Sequence, residues 1–595
     1  MFNRFKSALY NAVNNLDAET ADTSSSPPSP SPSPSSPLRS IPNRFQYSRP
    51  EFLNLNSDDE IQVSADHVIR PIIVPRDISK LPWSSGYAEA VNAGKSARNE
   101  DEAAVHTLRL ARIISKDDQK CFVNRKTISR KTTFPLSIII VFKIPDPPVD
   151  AIYFALFDGH AGSGASVAAA STLHCILHEK LLSILEYLFP DDGDTLQSSN
   201  VSSMCCSAQI TADNLIVGAL EAAFHEMDQQ IKRDRTLYKL NGGCTALVAL
   251  FVLGKLYVAN AGDSRAVLVL DERAKPMSHD FTPETEKLRL CNLAAQQPNL
   301  LGSTYTGKEF ICRPTQKDIN KKMLYRDANM TGWSVKTIVA NDLKFPVICG
   351  EGKRSRLLAT IGVTRGFGDH DLKSQIGSVP IKPFLSSEPQ VLIFDLSTTE
   401  LTENDVLIMG TDGLWDVISN KQAADILNKS LKHFPSSSQT QNSFRYTTAA
   451  QDLVMHSRGK YHEHSWRTVE NKIATIDDIS TFVIPLCYYK LDHETVKRRK
   501  SILFIKTFAS LGQADESRAE LQTHLIRFLE HDEIIFLVEQ TRTQVRQQML
   551  VILQTLQLIV EKADEKRNFF LVSLVQLVPA AILQLRQRDR RQLLD

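Results

Sequence analysis

The chain is poor in the features that would assign it at a glance. It has nine cysteines in 595 residues, Cys205-Cys206 being the only adjacent pair, and no C-x-x-C spacing. A zinc ribbon and a thioredoxin-like site are excluded, and the thiols read as those of a reducing, cytoplasmic compartment. No stretch of about 20 apolar residues occurs, the length a membrane-spanning helix needs. The nearest approach, Phe569 to Leu585, is broken by Ser573, Gln576, Pro579 and Gln584 and reads as a core helix. No G-x-x-x-x-G-K-[ST] loop is present, so nucleotide chemistry through such a loop has no support. A formal charge of +1 gives no overall attraction to nucleic acid or to a membrane. What is left is 42% apolar and 23% charged, an ordinary soluble composition. The length suffices for about two or three domains plus tails.

Against that plain background four acidic islands stand out: Asn99-Glu100-Asp101, Asp158-Gly159-His160, Thr411-Asp412-Gly413 and Ile476-Asp477-Asp478. Strand-like runs adjoin three of them, Tyr153–Phe157, Val406–Met409 and Ser480–Ile484. Carboxylates carried to one point by strand ends make a site for hard cations such as Mg²⁺ or Mn²⁺, which prefer oxygen ligands. Two such ions can activate a water and grip a phosphoryl group. Gly159 lets a backbone carbonyl approach a cation closely, and His160 is placed to protonate a departing alkoxide. Asp412 repeats the strand-Asp-Gly pattern, and Asp477 adds a carboxylate. Glu100 and Asp101 complete the shell directly or through water, and Asp416 is a supporting or additional ligand. Asp263 follows a hairpin formed by Ala246–Leu253 and Leu256–Ala259 around a Gly254-Lys255 turn. Taken singly, each aspartate is more often a turn or cap residue, and a lone histidine more often structural. The argument lies in the set.

Around this core the chain divides by composition. Residues 1–18 hold an amphipathic helix with Phe2, Phe5, Leu9, Val13 and Leu16 on one face and no acid before Asp17. Such a helix can lie in a bilayer interface, act as an organelle presequence, or dock on its own domain. Residues 19–84 are a linker and lead-in whose Ser/Pro tract, Ser24–Pro37, reads as a disordered spacer. Residues 85–488 mix helix and strand, with Ala165–Leu185 and Asn214–Ile231 helical. Adjacent strands followed by long helices predict an α+β fold of antiparallel sheets with helices packed outside. The basic stretch 489–500 reads as a solvated linker. Beyond it, 501–595 is an all-α region of three or four helices, suited to a partner or to self-association.

The ordered motifs resemble the metal-dependent Ser/Thr protein phosphatases of the PPM family, protein phosphatase type 2C. They are Phe157-Asp158-Gly159-His160-Ala161-Gly162, Gly242-Gly243-Cys244-Thr245-Ala246, Ala261-Gly262-Asp263-Ser264-Arg265-Ala266, Thr364-Arg365-Gly366-Phe367-Gly368-Asp369, Thr411-Asp412-Gly413-Leu414-Trp415-Asp416 and Asp477-Asp478-Ile479-Ser480. Gly94-Lys95-Ser96, Phe281-Thr282-Pro283-Glu284-Thr285-Glu286, Met323-Leu324-Tyr325-Arg326-Asp327, Met330-Thr331-Gly332-Trp333 and Asp342-Leu343-Lys344-Phe345-Pro346 narrow the likeness to the H/J/M subgroup.

The resemblance implies a β-sandwich flanked by helix pairs and a binuclear Mg²⁺/Mn²⁺ centre whose nucleophile is a metal-bound water. It places metal ligands on Asp158, Gly159, Asp412 and Asp477, an outer pair on Glu100 and Asp101, a weaker third ion on Asp263, and the general acid on His160. One departure stands out: where many members carry a phosphate-gripping arginine, this chain has Ser96, leaving Lys95 as the preferred substitute and Arg98 nearby. Residues 271–356 correspond to a flap that the subgroup associates with substrate choice, phosphorylated Rab-type GTPases being one substrate class. An amphipathic amino terminus on an internal membrane would suit such substrates. The alternative reading is a catalytically weak scaffold acting through its carboxy-terminal helices.

Overall fold

The structure, a computed structural model, describes residues 45–55, 57–111, 149–188, 210–434 and 444–495. The amphipathic segment 1–16, the Ser/Pro tract and the helical region 501–595 lie outside the described residues.

In chain order the main elements are β1 (Gly86–Ala90), β2 (Glu102–Leu110), β3 (Val149–Phe157), α1 (Gly164–Ser183), α2 (Ala212–Tyr238), β4 (Ala246–Val252), β5 (Lys255–Ala261), β6 (Arg265–Leu270), β7 (Arg273–Pro276), α3 (Lys287–Gln296), β8 (Gln390–Asp395), β9 (Val406–Gly410), α4 (Asn420–Lys432), α5 (Arg445–Arg458) and β10 (Ile479–Pro485). They build two five-stranded sheets, one ordered β1-β10-β9-β6-β7 and the other β8-β5-β4-β3-β2. Every neighbouring pair in both is antiparallel.

Alternation along the strands assigns the layers. Phe154, Leu156, Leu247, Ala249 and Phe251 of one sheet meet Leu268, Leu407, Met409, Phe482 and Ile484 of the other in the inner core. Tyr153, Ala155, Phe157, Val248 and Leu250 point outward instead, under Leu173 and Leu177 of α1 and Phe224 and Met227 of α2. On the opposite side Val267, Ile408 and Val483 are covered by Leu427 of α4 and Leu453 and Val454 of α5. Both faces of each sheet are therefore dry, which is why Ala246–Val252 reads as an unbroken apolar run and is buried throughout. Its turn into β5 has Leu253 and Gly254 both at positive φ, 53° and 80°, the pairing that a twisted two-residue hairpin demands. Helix ends are capped locally: Thr211 accepts from the Asn214 amide, and Ser419 and Gln422 form a reciprocal box.

The lead-in from Phe45 packs on this sandwich. Phe45 lies edge-on to Tyr238 at 5.3 Å, and Phe52 edge-on to Tyr87 at 4.9 Å. Between β7 and β8 the chain forms a flap with a separate core of Leu290, Leu301, Tyr305, Leu357, Ile381 and Phe384. Its strands are short, Glu309–Phe310, Lys322–Arg326 and Ser334–Thr337 forming one small sheet. The expected flap began at residue 271, but Arg273–Pro276 is an edge strand of the sandwich, and the flap core reaches Leu385.

Candidate metal centre

Antiparallel pairing brings alternate strand ends to the same end of the sandwich, and the acidic islands collect there. Asp158 follows β3, Asp263 follows β5, Asp412 follows β9, and Asp477-Asp478 precede β10. Hydrogen bonds fix the Asp158 backbone to Thr245, which donates its amide to the Asp158 carbonyl at 2.9 Å and accepts the Asp158 amide on its hydroxyl at 3.2 Å. The Asp412 amide donates to Asp158 Oδ2 at 3.3 Å. One oxygen from each of Asp158, Asp263 and Asp412 lies within 4.8 Å of the others. Space beside them is tight: a Cβ on Gly159 would stand 2.3 Å from the Glu100 carbonyl oxygen, and one on Gly413 would stand 1.9 Å from that of Asp478.

Three half-buried carboxylates this close repel one another. Burial and then the charge of Asp412 push Asp158 well above the usual carboxylate range. Burial and then Asp412 do the same to Asp263. Asp412 is raised to about 7 by burial, Asp477 and Asp416. Among the described residues, Lys95 is the one lysine or arginine ion-paired with Asp158, Asp263, Asp412 or Asp477, and its partner is Asp477. An all-oxygen donor set with too little positive charge fits Mg²⁺ or Mn²⁺.

The distal half is braced by hydrogen bonds. Asp478, which the sequence reading passed over as a site residue, is buried and accepts from the Asn92 amide at 2.7 Å, Asn92 Nδ2 at 3.1 Å and the Glu100 amide at 3.0 Å. Burial raises it to about 6, against the pull of those amides. Asp101 is buried under Thr411, whose hydroxyl donates to it at 2.9 Å. Glu100 Oε1 accepts the Gly162 amide at 2.6 Å. Asp101 thus braces the residue before Asp412, while Glu100 joins the Asp158 loop to the Asp478 loop.

His160 Nε2 is 2.7 Å from Asp369 Oδ2. Burial opposes protonation, but the hydrogen bond and charge of Asp369, with Glu100, hold the imidazole above its ordinary value. Asp369 is the second residue missed; it lies within a quoted motif, but nothing in its spacing marks it as the partner of a histidine 209 positions earlier. Lys95 and Arg98 are separated. Burial notwithstanding, Asp477 holds the Lys95 ammonium firmly protonated, whereas the Arg98 guanidinium lies over the Tyr47 ring at 4.7 Å. Asp416 is exposed and pairs at 3.0 Å with Lys353 of the flap.

Fold and site together define a metal-dependent hydrolase. Comparison with known proteins makes that specific. The protein phosphatase 2C family model matches residues 130–296 and 347–460, its break falling inside the flap. Protein phosphatase 1H of Homo sapiens is 44% identical over 482 residues, covering 75% of this chain and 92% of that protein. The Danio rerio protein phosphatase 1H is 45% identical over 489 residues, covering 75% and 93%. Protein phosphatase 1J of Mus musculus is 42% identical over 468 residues, covering 76% and 88%. The chain belongs to the protein phosphatase 2C family and is a metal-dependent serine/threonine protein phosphatase.

Proposed function

We propose that the chain hydrolyses phosphoserine and phosphothreonine at a centre of two Mg²⁺ or Mn²⁺ ions, with phosphorylated Rab-type GTPases as a substrate class. The carrying observation is the gathering of Asp158, Asp263 and Asp412, one oxygen of each lying within 4.8 Å of the others. Asp158, the Gly159 carbonyl, Asp412 and Asp477 would hold the two ions and Asp263 a weaker third, with Glu100 and Asp101 supporting them. When bound, the ions neutralise phosphate charge and lower the pKa of a water.

The remaining work falls to side chains. Protonated His160 donates a hydrogen bond from its Nε2–H to Asp369, which leaves the Nδ1 proton of the imidazolium for the departing serine or threonine oxygen. Lys95, a compact charge on a flexible stem, exchanges Asp477 for the substrate phosphate. The flap supports an acidic, phosphorylated substrate: residues 305–356 contain eleven Lys or Arg against five Asp or Glu, and Lys353 brings this basic segment up to Asp416. Membrane attachment through 1–16, and partner binding or self-association through 501–595, are further proposals. Among the described residues no helix is long and apolar enough to cross a membrane, and flotation of the full chain with liposomes tests attachment at a membrane surface.

The test of the central reading is hydrolysis of p-nitrophenyl phosphate and of a phosphorylated Rab by the full chain, with Mn²⁺, with Mg²⁺ and after chelation. Turnover that needs metal and disappears in Asp158→Ala is expected. A folded, metal-loaded protein without turnover would favour the scaffold.

A further inference from the structure

Arg70 lies in the lead-in, outside the residues matched by the family model, and its side chain is fully enclosed. Its backbone is at φ 48°, a left-handed conformation uncommon for a residue with a Cβ. Among the described residues it has no ion-pair partner. Its guanidinium instead donates to three carbonyls: Nε to Val91 at 2.6 Å, Nη1 to Thr475 at 2.8 Å and Nη2 to Asp477 at 2.7 Å. Trp466 lies 5.1 Å from Cζ, and Arg458 donates to the Arg70 carbonyl at 2.6 Å.

The three acceptors are not a random set. Val91 opens the turn in which Asn92 Oδ1 accepts the Lys95 amide at 2.7 Å. Thr475 and Asp477 belong to the loop that carries Asp477. One planar fork therefore spans the two loops whose side chains, Lys95 and Asp477, pair in front of it. Burying a guanidinium on neutral acceptors is costly, and simple filling of that space would need only an apolar side chain. A charge kept behind Asp477 and Asp478 offsets carboxylate repulsion, and the fork geometry fixes both loops at once.

We propose that Arg70 is a positioning residue of the metal centre, setting where Asp477 and Lys95 stand through the carbonyls of Val91, Thr475 and Asp477. This rests on the metal-centre reading above. Arg49 of the same lead-in grips the other acidic island, donating to the Asp101 carbonyl at 2.7 Å, but it is neutralised by Glu89 and Glu102. Arg70 differs in directing its charge to the site.

Mn²⁺ affinity of the full chain, read by the electron paramagnetic resonance of free Mn²⁺, tests this beside thermal unfolding. Arg70→Lys keeps a charge but cannot span three carbonyls. It should weaken Mn²⁺ binding by about tenfold, the size expected for loss of a group that orients a metal ligand. Trp466→Leu removes the ring against the guanidinium, together with its contacts to Tyr461 and Arg458, and should weaken binding less, by about threefold. Folded Arg70→Lys with a lowered unfolding temperature and unchanged Mn²⁺ affinity would reduce Arg70 to a structural residue. Should Arg70→Lys not fold, unchanged affinity in Trp466→Leu would overturn the proposal. Wild-type protein that binds no Mn²⁺ would overturn the metal-centre reading, and this inference with it.

Discussion

The carboxylates of the flap and those of the metal centre are treated in opposite ways by the same chain. In the flap, Glu286 accepts from Arg289 at 2.7 Å and from Arg365 at 2.7 Å, with the Thr364 hydroxyl at 3.0 Å. Glu309 is held by Lys287 and Arg326, and Asp342 by Lys336. Despite partial burial these partners hold all three acids below their ordinary values. At the sandwich end, Asp158, Asp263 and Asp412 are raised, with burial as the first cause and a neighbouring carboxylate as the next, Asp412 for Asp158 and Asp263, and Asp477 for Asp412. These three acids of the flap are satisfied inside the protein and serve structure. At the centre it is left uncompensated, a cost borne where a ligand of opposite sign is to be received.

The contrast can be broken most sharply by deleting one acid from each region. Glu286→Ala leaves Arg289 and Arg365 without their carboxylate and should cost about 3 kcal/mol, seen as faster hydrogen exchange across 287–385 with p-nitrophenyl phosphate turnover nearly intact. Asp412→Asn should do the reverse in metal-free protein, raising stability by about 1–3 kcal/mol at pH 8 while removing the stabilisation that Mn²⁺ gives the wild type. Equal destabilisation in both variants would end the comparison.

Smaller effects sharpen it. For Glu286, Glu309 and Asp342 the folded value is depressed. Their stabilisation is therefore present above the unfolded carboxylate value of about 4 and is lost as pH falls through the still lower folded values. Asp412 has the opposite sign: with a folded value of about 7, its carboxylate ionises first in the unfolded chain. Metal-free protein should thus lose stability as pH rises from about 4 to 7, and saturating Mn²⁺ should flatten that slope in a denaturant titration. The smallest change concerns the histidine. Asp369→Asn removes a hydrogen-bonded charge that raises His160, so the alkaline limb of the pH–rate profile should move to lower pH. An unmoved limb would mean that His160 is not the titrating acid.

How much of this was legible depended on whether a residue's role was local. The strands before Asp158 and Asp412 and after Asp477 were readable because both sheet faces are covered, turning β3, β9 and β10 into apolar runs. Helices α1 and α2 were readable from periodicity, and the predicted α+β architecture agrees with the two antiparallel sheets and their flanking helices. Asp369 and Asp478 were not singled out, because their roles arise from loops that meet only after folding: His160 to Asp369, Asn92 and Glu100 to Asp478. Arg49 and Arg70 were hidden for another reason. A lone arginine in a polar lead-in reads as surface, and burial on distant carbonyls leaves no pattern along the chain. Arg98 shows the limit from the other side, since proximity in sequence to Glu100 did not keep it from turning onto Tyr47.

The centre draws its acids from both halves of the sandwich, Asp158 and Asp263 from one sheet and Asp412 and Asp477 from the other. An ion seated there is a rivet through a seam. Between the two sheets lie interdigitated apolar side chains, which resist separation but tolerate small slips. A rivet at one edge removes that tolerance, so occupancy by metal becomes a mechanical property of the whole sandwich, felt at Phe154 and Phe482 as much as at the aspartates.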